Sequence, residues 1–388
     1  MLKFGARLQE IAMPPRRLTK GIEEEVYTGT WQGEVVGLSH RVAAAFPGFT
    51  TEPDARNVEF TTDPYRDYEV LLSRLMTKRC QLRRYLREIG EFTLIPGSTI
   101  PLGNTREFHL SDPNNPYYVF IRDTYGTNVV TASHHVNVGV EDPDDLFRAY
   151  RVLRSEASMF LALTAASPFL GGETTGFHSS RWGLFPKTPR SVPFFARHDE
   201  FTSWVEARLA DGTMYNPRHL WISARPNGPA SPYNLNRLEL RICERTSCPR
   251  LLLAVTAFLE ARVWEVLEDA DLDPLRRASS ADLEAMADAN EAAVARSSLD
   301  ATVTDWSSGR TVVARDWILQ RLAAQEPTAK DHGLTQYLGP IAETAEEGNQ
   351  AQRWLELLGK GWTVERVVID AVAEAAEIDK AVMGAECA

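Results

Sequence analysis

Near the start of the chain, Gly21-Ile22-Glu23-Glu24-Glu25-Val26-Tyr27 sets three carboxylates in a run that otherwise reads as a buried strand. In an extended chain successive side chains point to opposite faces, so Glu23 and Glu25 share one side while Ile22 and Val26 take the other. Like charges on one face repel, and their cost rises steeply away from bulk water unless a cation lies between them. A divalent metal is the simplest remedy. Alone, the run is equally a solvated edge strand with surface acids; its recurrence argues otherwise.

Three further segments repeat the design. Asn57-Val58-Glu59-Phe60-Thr61 puts Val58 and Phe60 on one face and Glu59 on the other. The segment 131–140 carries Val136, Val138 and Val140 against His135, Asn137 and Gly139. Arg237-Leu238-Glu239-Leu240-Arg241-Ile242-Cys243 opposes three aliphatic residues to Arg237, Glu239 and Arg241. A sheet with an apolar underside and an upper face of carboxylates, an imidazole and guanidinium groups is an active-site floor. Its oxygen-rich donors select magnesium, and the histidine leaves room for manganese.

Helical periodicity fills the intervals. Residues 65–89 predict a long amphipathic cover helix with Pro64 in its first turn, and 39–46, 117–125, 142–165 and 199–209 predict others. Residues 34–38 predict the second arm of a hairpin, and 219–224 a strand. Residues 96–115 and 166–176 are loops rich in Gly, Pro, Ser and Thr; the glycines of the second permit close approach to a ligand. Beyond residue 250 the chain turns alanine-rich and acidic, with helices expected at 251–267, 281–295, 310–324, 349–358 and 364–382. The expected organisation is a catalytic α+β unit over 1–250 and a helical region over 251–388 packed on it, or one domain throughout.

The 388 residues carry a net charge of -11, which argues against nucleic acid held by a general electrostatic field but is compatible with ATP. No segment has the apolar length of a membrane span, and residues 1–20 lack the apolar core of a secretory signal. The four cysteines, Cys80, Cys243, Cys248 and Cys387, form no regular framework, so reduced thiols and a cytoplasmic setting are expected. Hard cations beside arginines suit phosphoryl transfer, which needs positioning and charge neutralisation. No GxxxxGK[ST] run, GxGxxG after a strand, or GxSxG elbow is present.

The motifs Gly21-Ile22-Glu23-Glu24-Glu25, Asn57-Val58-Glu59-Phe60, Ser133-His134-His135-Val136-Asn137-Val138-Gly139-Val140, Ala166-Ser167-Pro168-Phe169 with Thr175-Gly176 and Arg181, and Arg237-Leu238-Glu239-Leu240-Arg241-Ile242 occur in this order. In order and spacing the chain resembles the glutamate–cysteine ligases of family 2 and the carboxylate–amine ligase superfamily, most closely the bacterial branch typified by cyanobacteria. The resemblance implies a glutamine-synthetase-like fold, whose curved, mostly antiparallel sheet forms a funnel for magnesium and ATP. It implies ATP phosphorylation of the L-glutamate γ-carboxylate and displacement of phosphate by the L-cysteine amine, giving γ-glutamylcysteine in the first step of glutathione biosynthesis.

By the same resemblance, Glu23, Glu25, Glu59 and Glu239 match the metal-ligating acids. His135 matches a strand histidine beside metal and nucleotide phosphates, with Asn137 beside it. Arg181 and Arg241 match arginines facing phosphate or substrate carboxylate. Asn137 stands where many carboxylate–amine ligases have the second histidine of His-Val-His-Val-Gly, which favours the glutamate–cysteine branch. The alternatives are a ligase joining other carboxylates and amines, and a metal-bearing binding protein without turnover.

Overall fold

The computed structural model of the protein describes residues 16–387; the expectation for the first residues lies, for 1–15, outside the described residues. At its centre are seven strands: β1 (Lys20–Thr30), β2 (Phe49–Thr51), β3 (Asn57–Thr61), β4 (Phe92–Ile95), β5 (His134–Gly139), β6 (Ala224–Asn227) and β7 (Arg237–Leu240). Their order is β2-β3-β1-β5-β7-β6, with β4 joining β1 beyond Tyr27, and every pair is antiparallel. Six helices are needed to place the site: α1 (Tyr68–Glu88), α2 (Pro116–Tyr125), α3 (Pro143–Thr164), α4 (Pro249–Glu268), α5 (Ser280–Ser297) and α6 (Val364–Met383).

The period-two pattern sets the register. Glu23 stands opposite His135 on β5, and Glu25 opposite Glu59 on β3. Asn137 stands opposite Glu239 on β7. A slip of one residue would send all these groups into the core. The apolar partners Ile22, Val26, Val58, Phe60, Val136, Val138, Leu238 and Leu240 face the other way and share one core with α1, α3 and α4. Gly139 lets the Thr19 side chain lie close against β5, since a Cβ there would come within 2.2 Å of Thr19 Oγ1 and force that hydroxyl to move.

The C-terminal region as far as Ala345 belongs to this same core, whereas α6 packs in smaller clusters beside it. A fully buried pair also joins the halves: Arg262 of α4 donates to both oxygens of Glu156 on α3, at 2.8 and 2.9 Å. Among the described residues, no helix is long and apolar enough to cross a membrane.

Several expected elements are displaced. The cover helix begins at Tyr68, where the Asp67 carboxylate accepts the Val70 N–H; Pro64 lies before it. The expected strand at 219–224 is a 3₁₀ turn, Pro217–His219, and an aromatic cluster of His219, Trp221, Tyr125 and Phe185. The strand falls instead at Ala224–Asn227, where Pro226 is tolerated because β6 is an outer strand. Val35 makes only an isolated bridge to Gly29 rather than a full hairpin arm. Thr311–Val313, expected to open a helix, forms a small hairpin with Thr302–Thr304, as its β-branched residues favour.

The expectation of four reduced thiols also fails. Cys80 on α1 and Cys387 are joined in a disulfide across 307 residues of sequence, because α6 runs along α1 and delivers the chain end to Cys80. Cys243 and Cys248 are free.

Candidate active site

The strands carry their polar face into a cavity of about 300 Å³. Glu23, Glu25, Glu59, His135 and Arg241 line it, together with three residues not singled out from the sequence: Glu52, Arg218 and Arg225. Tyr117, Tyr118 and Ile121 of α2, with Trp221, form an apolar wall. The 96–115 loop contributes only Asn115 and the 166–176 loop nothing; Gly171 and Gly172, both with positive φ, make the tight turn of the Phe169–Thr174 hairpin.

Two groups of possible metal donors lie on this floor. Glu23, His135 and Glu239 offer ligand atoms within 4.8 Å of one another, and so do Glu25, Glu52 and Glu59. His135 lies between them. Its Nδ1 is 3.1 Å from Glu23 Oε2 and 3.8 Å from Glu239 Oε1, and its Nε2 is 2.9 Å from Ser133 Oγ and 3.8 Å from Glu25 Oε1. The Ser133 hydroxyl donates to Glu25 Oε2 at 2.7 Å. Asn137 donates to Glu23 at 2.9 Å and accepts from Arg237 at 3.0 Å.

The two groups differ electrostatically. Burial pushes the Glu239 carboxyl up, but Arg225 and Arg241 outweigh it and hold it well below the usual range. Arg225 Nε donates at 2.7 Å, Arg241 Nη1 at 2.5 Å and Asn227 Nδ2 at 2.7 Å. For Glu23, burial and Glu239 act upward, while the His135 hydrogen bond and charge, with Arg241, leave it lowered. In the other group, burial and the neighbouring carboxylates raise Glu59, and raise Glu52 far more.

That second group is undercompensated negative charge. Beside it Asn57, whose Nδ2 donates to the Thr131 carbonyl, has a buried Oδ1 without a partner. Three clustered carboxylates, two of them, Glu52 and Glu59, pushed up by burial and each other's charge, stand next to an orphaned oxygen acceptor, and this fits a hard divalent cation such as magnesium.

Arg181 is not brought into the cavity. Its guanidinium is buried and donates to the carbonyls of Ile242 at 3.2 Å and Arg241 at 3.0 Å. It therefore braces the backbone beneath Arg241. Glu24, on the reverse face of β1, meets Arg79 at 2.7 Å, Arg245 at 3.3 Å and His134 at 3.5 Å, all fully buried.

Glu23 also lines two adjoining cavities. One, of about 610 Å³, includes Asn216, Arg218, Arg225, Asn227 and Arg237; the other, of about 370 Å³, includes Lys20, Thr62, Asn137 and Arg237. The floor thus has room on both sides of the Glu23–His135–Glu239 group.

Glutamate-cysteine ligase family 2 matches residues 19–370. A Rubrobacter xylanophilus protein named "Putative glutamate--cysteine ligase 2-1" is 27% identical over 362 residues, covering 88% of this chain and 90% of that one. A Gloeobacter violaceus protein named "Putative glutamate--cysteine ligase 2" is 26% identical, covering 83% and 86%. Among solved structures, a glutamate–cysteine ligase from Francisella tularensis in complex with AMP aligns with a TM-score of 0.74 at 13% identity, over 97% of this chain and 91% of that one. A bifunctional glutathione synthetase from Pasteurella multocida aligns with a TM-score of 0.73 at 14% identity over 95% of this chain, which spans about half (53%) of that protein. The match over residues 19–370 places the chain in glutamate–cysteine ligase family 2, as an ATP-dependent carboxylate–amine ligase.

Proposed function

We propose that the protein joins the γ-carboxylate of L-glutamate to the amine of L-cysteine with hydrolysis of ATP to ADP and phosphate, yielding γ-glutamylcysteine. The observation that carries this reading is the pair of donor groups side by side on one sheet face, linked through His135 and flanked by Arg218, Arg225 and Arg241. Phosphoryl transfer to a carboxylate brings together two anions, and such a floor is built to neutralise them.

Glu25, Glu52 and Glu59 would hold one magnesium or manganese ion, and Glu23, His135 and Glu239 would hold another. When bound, these ions supply charge neutralisation at phosphate oxygens and a template for in-line transfer. Arg241 stabilises charge on the transferring phosphoryl group or fixes the substrate carboxylate, where its planar fork is suited to paired oxygens. Arg225 and Asn227 hold Glu239 in place beneath it. Tyr117, Tyr118 and Trp221, which line the cavity, would shield the γ-glutamyl phosphate from water until the amine arrives.

The test is ADP release by the purified, magnesium-loaded protein with L-glutamate and each common amino acid in turn. Cysteine is expected to give the highest rate, with γ-glutamylcysteine as product. A strong preference for another amine would overturn the cysteine assignment and leave ligase chemistry standing.

A further inference from the structure

Behind the apolar wall of the acidic floor lies a second cavity, of about 320 Å³, which shares Phe185 and Trp221 with the first but none of its acids. Its size is at the small end of ligand pockets, room for one small molecule. Phe177 and Trp182 bring its aromatic side chains to four, and α5 contributes Glu291 and Arg296.

Neither of these two charges has an opposite charge beside it. Glu291 is buried; its Oε2 accepts from Trp182 Nε1 at 3.1 Å, and among the described residues no cation forms an ion pair with it. Burial pushes its carboxyl up to about 6, although the Ser223 hydroxyl and Lys187 act downward. Lys187, which also lines the cavity, is engaged by Asp288. Arg296 lies over the Phe177 ring, 4.9 Å from its centroid, and among the described residues has no carboxylate partner. A buried carboxylate without a counter-charge calls for a cation, and the aromatic faces around it favour an organic ammonium.

We propose that this cavity binds a free α-amino acid with a large apolar side chain. Its ammonium meets Glu291 and the ring faces, its carboxylate meets Arg296, and its side chain packs on Trp182, Phe185 and Trp221. Neither proposed substrate suits the cavity: a second carboxylate, as in glutamate, is repelled by Glu291, and a side chain as short as that of cysteine leaves the rings uncovered. Because Phe185 and Trp221 serve both cavities, the occupant supports the wall of the active site from behind.

Binding is read by calorimetry on the full chain in EDTA without ATP, which separates it from the ligase reading, tested by ADP release. L-Phenylalanine is the probe; phenethylamine lacks its carboxylate, phenylpropionate its ammonium, and glycine its side chain. L-Phenylalanine is expected to bind at least about 10-fold more tightly than each of these. Arg296→Ala, a change at an exposed side chain, should bring L-phenylalanine down to the level of phenethylamine and leave phenethylamine itself unchanged. Glu291→Gln, which keeps an acceptor for Trp182, should weaken L-phenylalanine by about 10-fold or more while sparing phenylpropionate. No binding of L-phenylalanine, equal affinity for phenethylamine or phenylpropionate, full affinity in either variant, or displacement of L-phenylalanine by L-glutamate would each overturn the proposal.

Discussion

At Arg241 the contributions of charge and shape can be separated. Lysine keeps the charge that offsets Glu239 but loses the planar fork, so Arg241→Lys is expected to lower turnover on the order of 10²-fold with little change in melting temperature. Turnover close to that of the parent would reduce Arg241 to a partner of Glu239. Glu52 makes the complementary case. Because burial, Glu59 and Glu25 press its carboxyl upward, Glu52→Gln removes repulsion and should leave the metal-free protein at least as stable, while weakening magnesium binding by about 10-fold or more. Calorimetric titration with magnesium, paired with urea unfolding of the metal-free protein, reads both halves; unchanged magnesium affinity would remove Glu52 from the site. Glu23, Glu25, Glu59, His135, Asn137, Glu239 and Arg241 were legible because each alternates with aliphatic residues. Glu52 was not, since it follows a three-residue strand and precedes Pro53, leaving no alternation to read. Arg225 was hidden by Pro226, and the inward burial of Arg181 leaves no mark in a local pattern.

Among elements, β1 is the one that joins chemistry to stability. Its odd-numbered acids face the cavity, while Glu24 is sunk among Arg79, Arg245 and His134. Taking away one member of a buried ionic group leaves charges without compensation, so Glu24→Gln is expected to cost on the order of 3–5 kcal/mol in urea unfolding. The pH dependence has a definite sign. Burial opposes the charged form, but Arg79, His134 and Arg245 hold the Glu24 carboxyl far below its unfolded value. Its contribution is therefore full above the ordinary carboxylate range and is lost as pH falls toward the depressed value. The parent should lose stability more steeply than Glu24→Gln on acidification below roughly pH 4.5; parallel pH profiles would contradict this reading. The sequence displayed β1, β3, β5 and β7 because each combines an apolar face with a polar one. It did not display β4, whose Phe92-Thr93-Leu94-Ile95 is short and buried, or the arginine partners of Glu24, which come from an outside helix and a distant loop.

One core runs from the sheet through α3 and α4 to Ala345, so packing is continuous across the composition shift near residue 250. The α+β class and the helical C-terminal region were readable from periodicity. The contact of α6 with α1 was not, because sequence separation hides it, and with it went the Cys80–Cys387 link. The same long-range folding brings residues 23, 25, 52, 59, 135 and 239 onto one floor. We infer that this floor binds nucleotide through divalent metal. The most direct test is calorimetric titration of ATP into the purified protein with magnesium and again in EDTA, repeated for Glu25→Gln. ATP binding is expected to weaken sharply in EDTA, and Glu25→Gln to lose most of the magnesium-dependent gain. Equal ATP affinity with magnesium and with EDTA would contradict it.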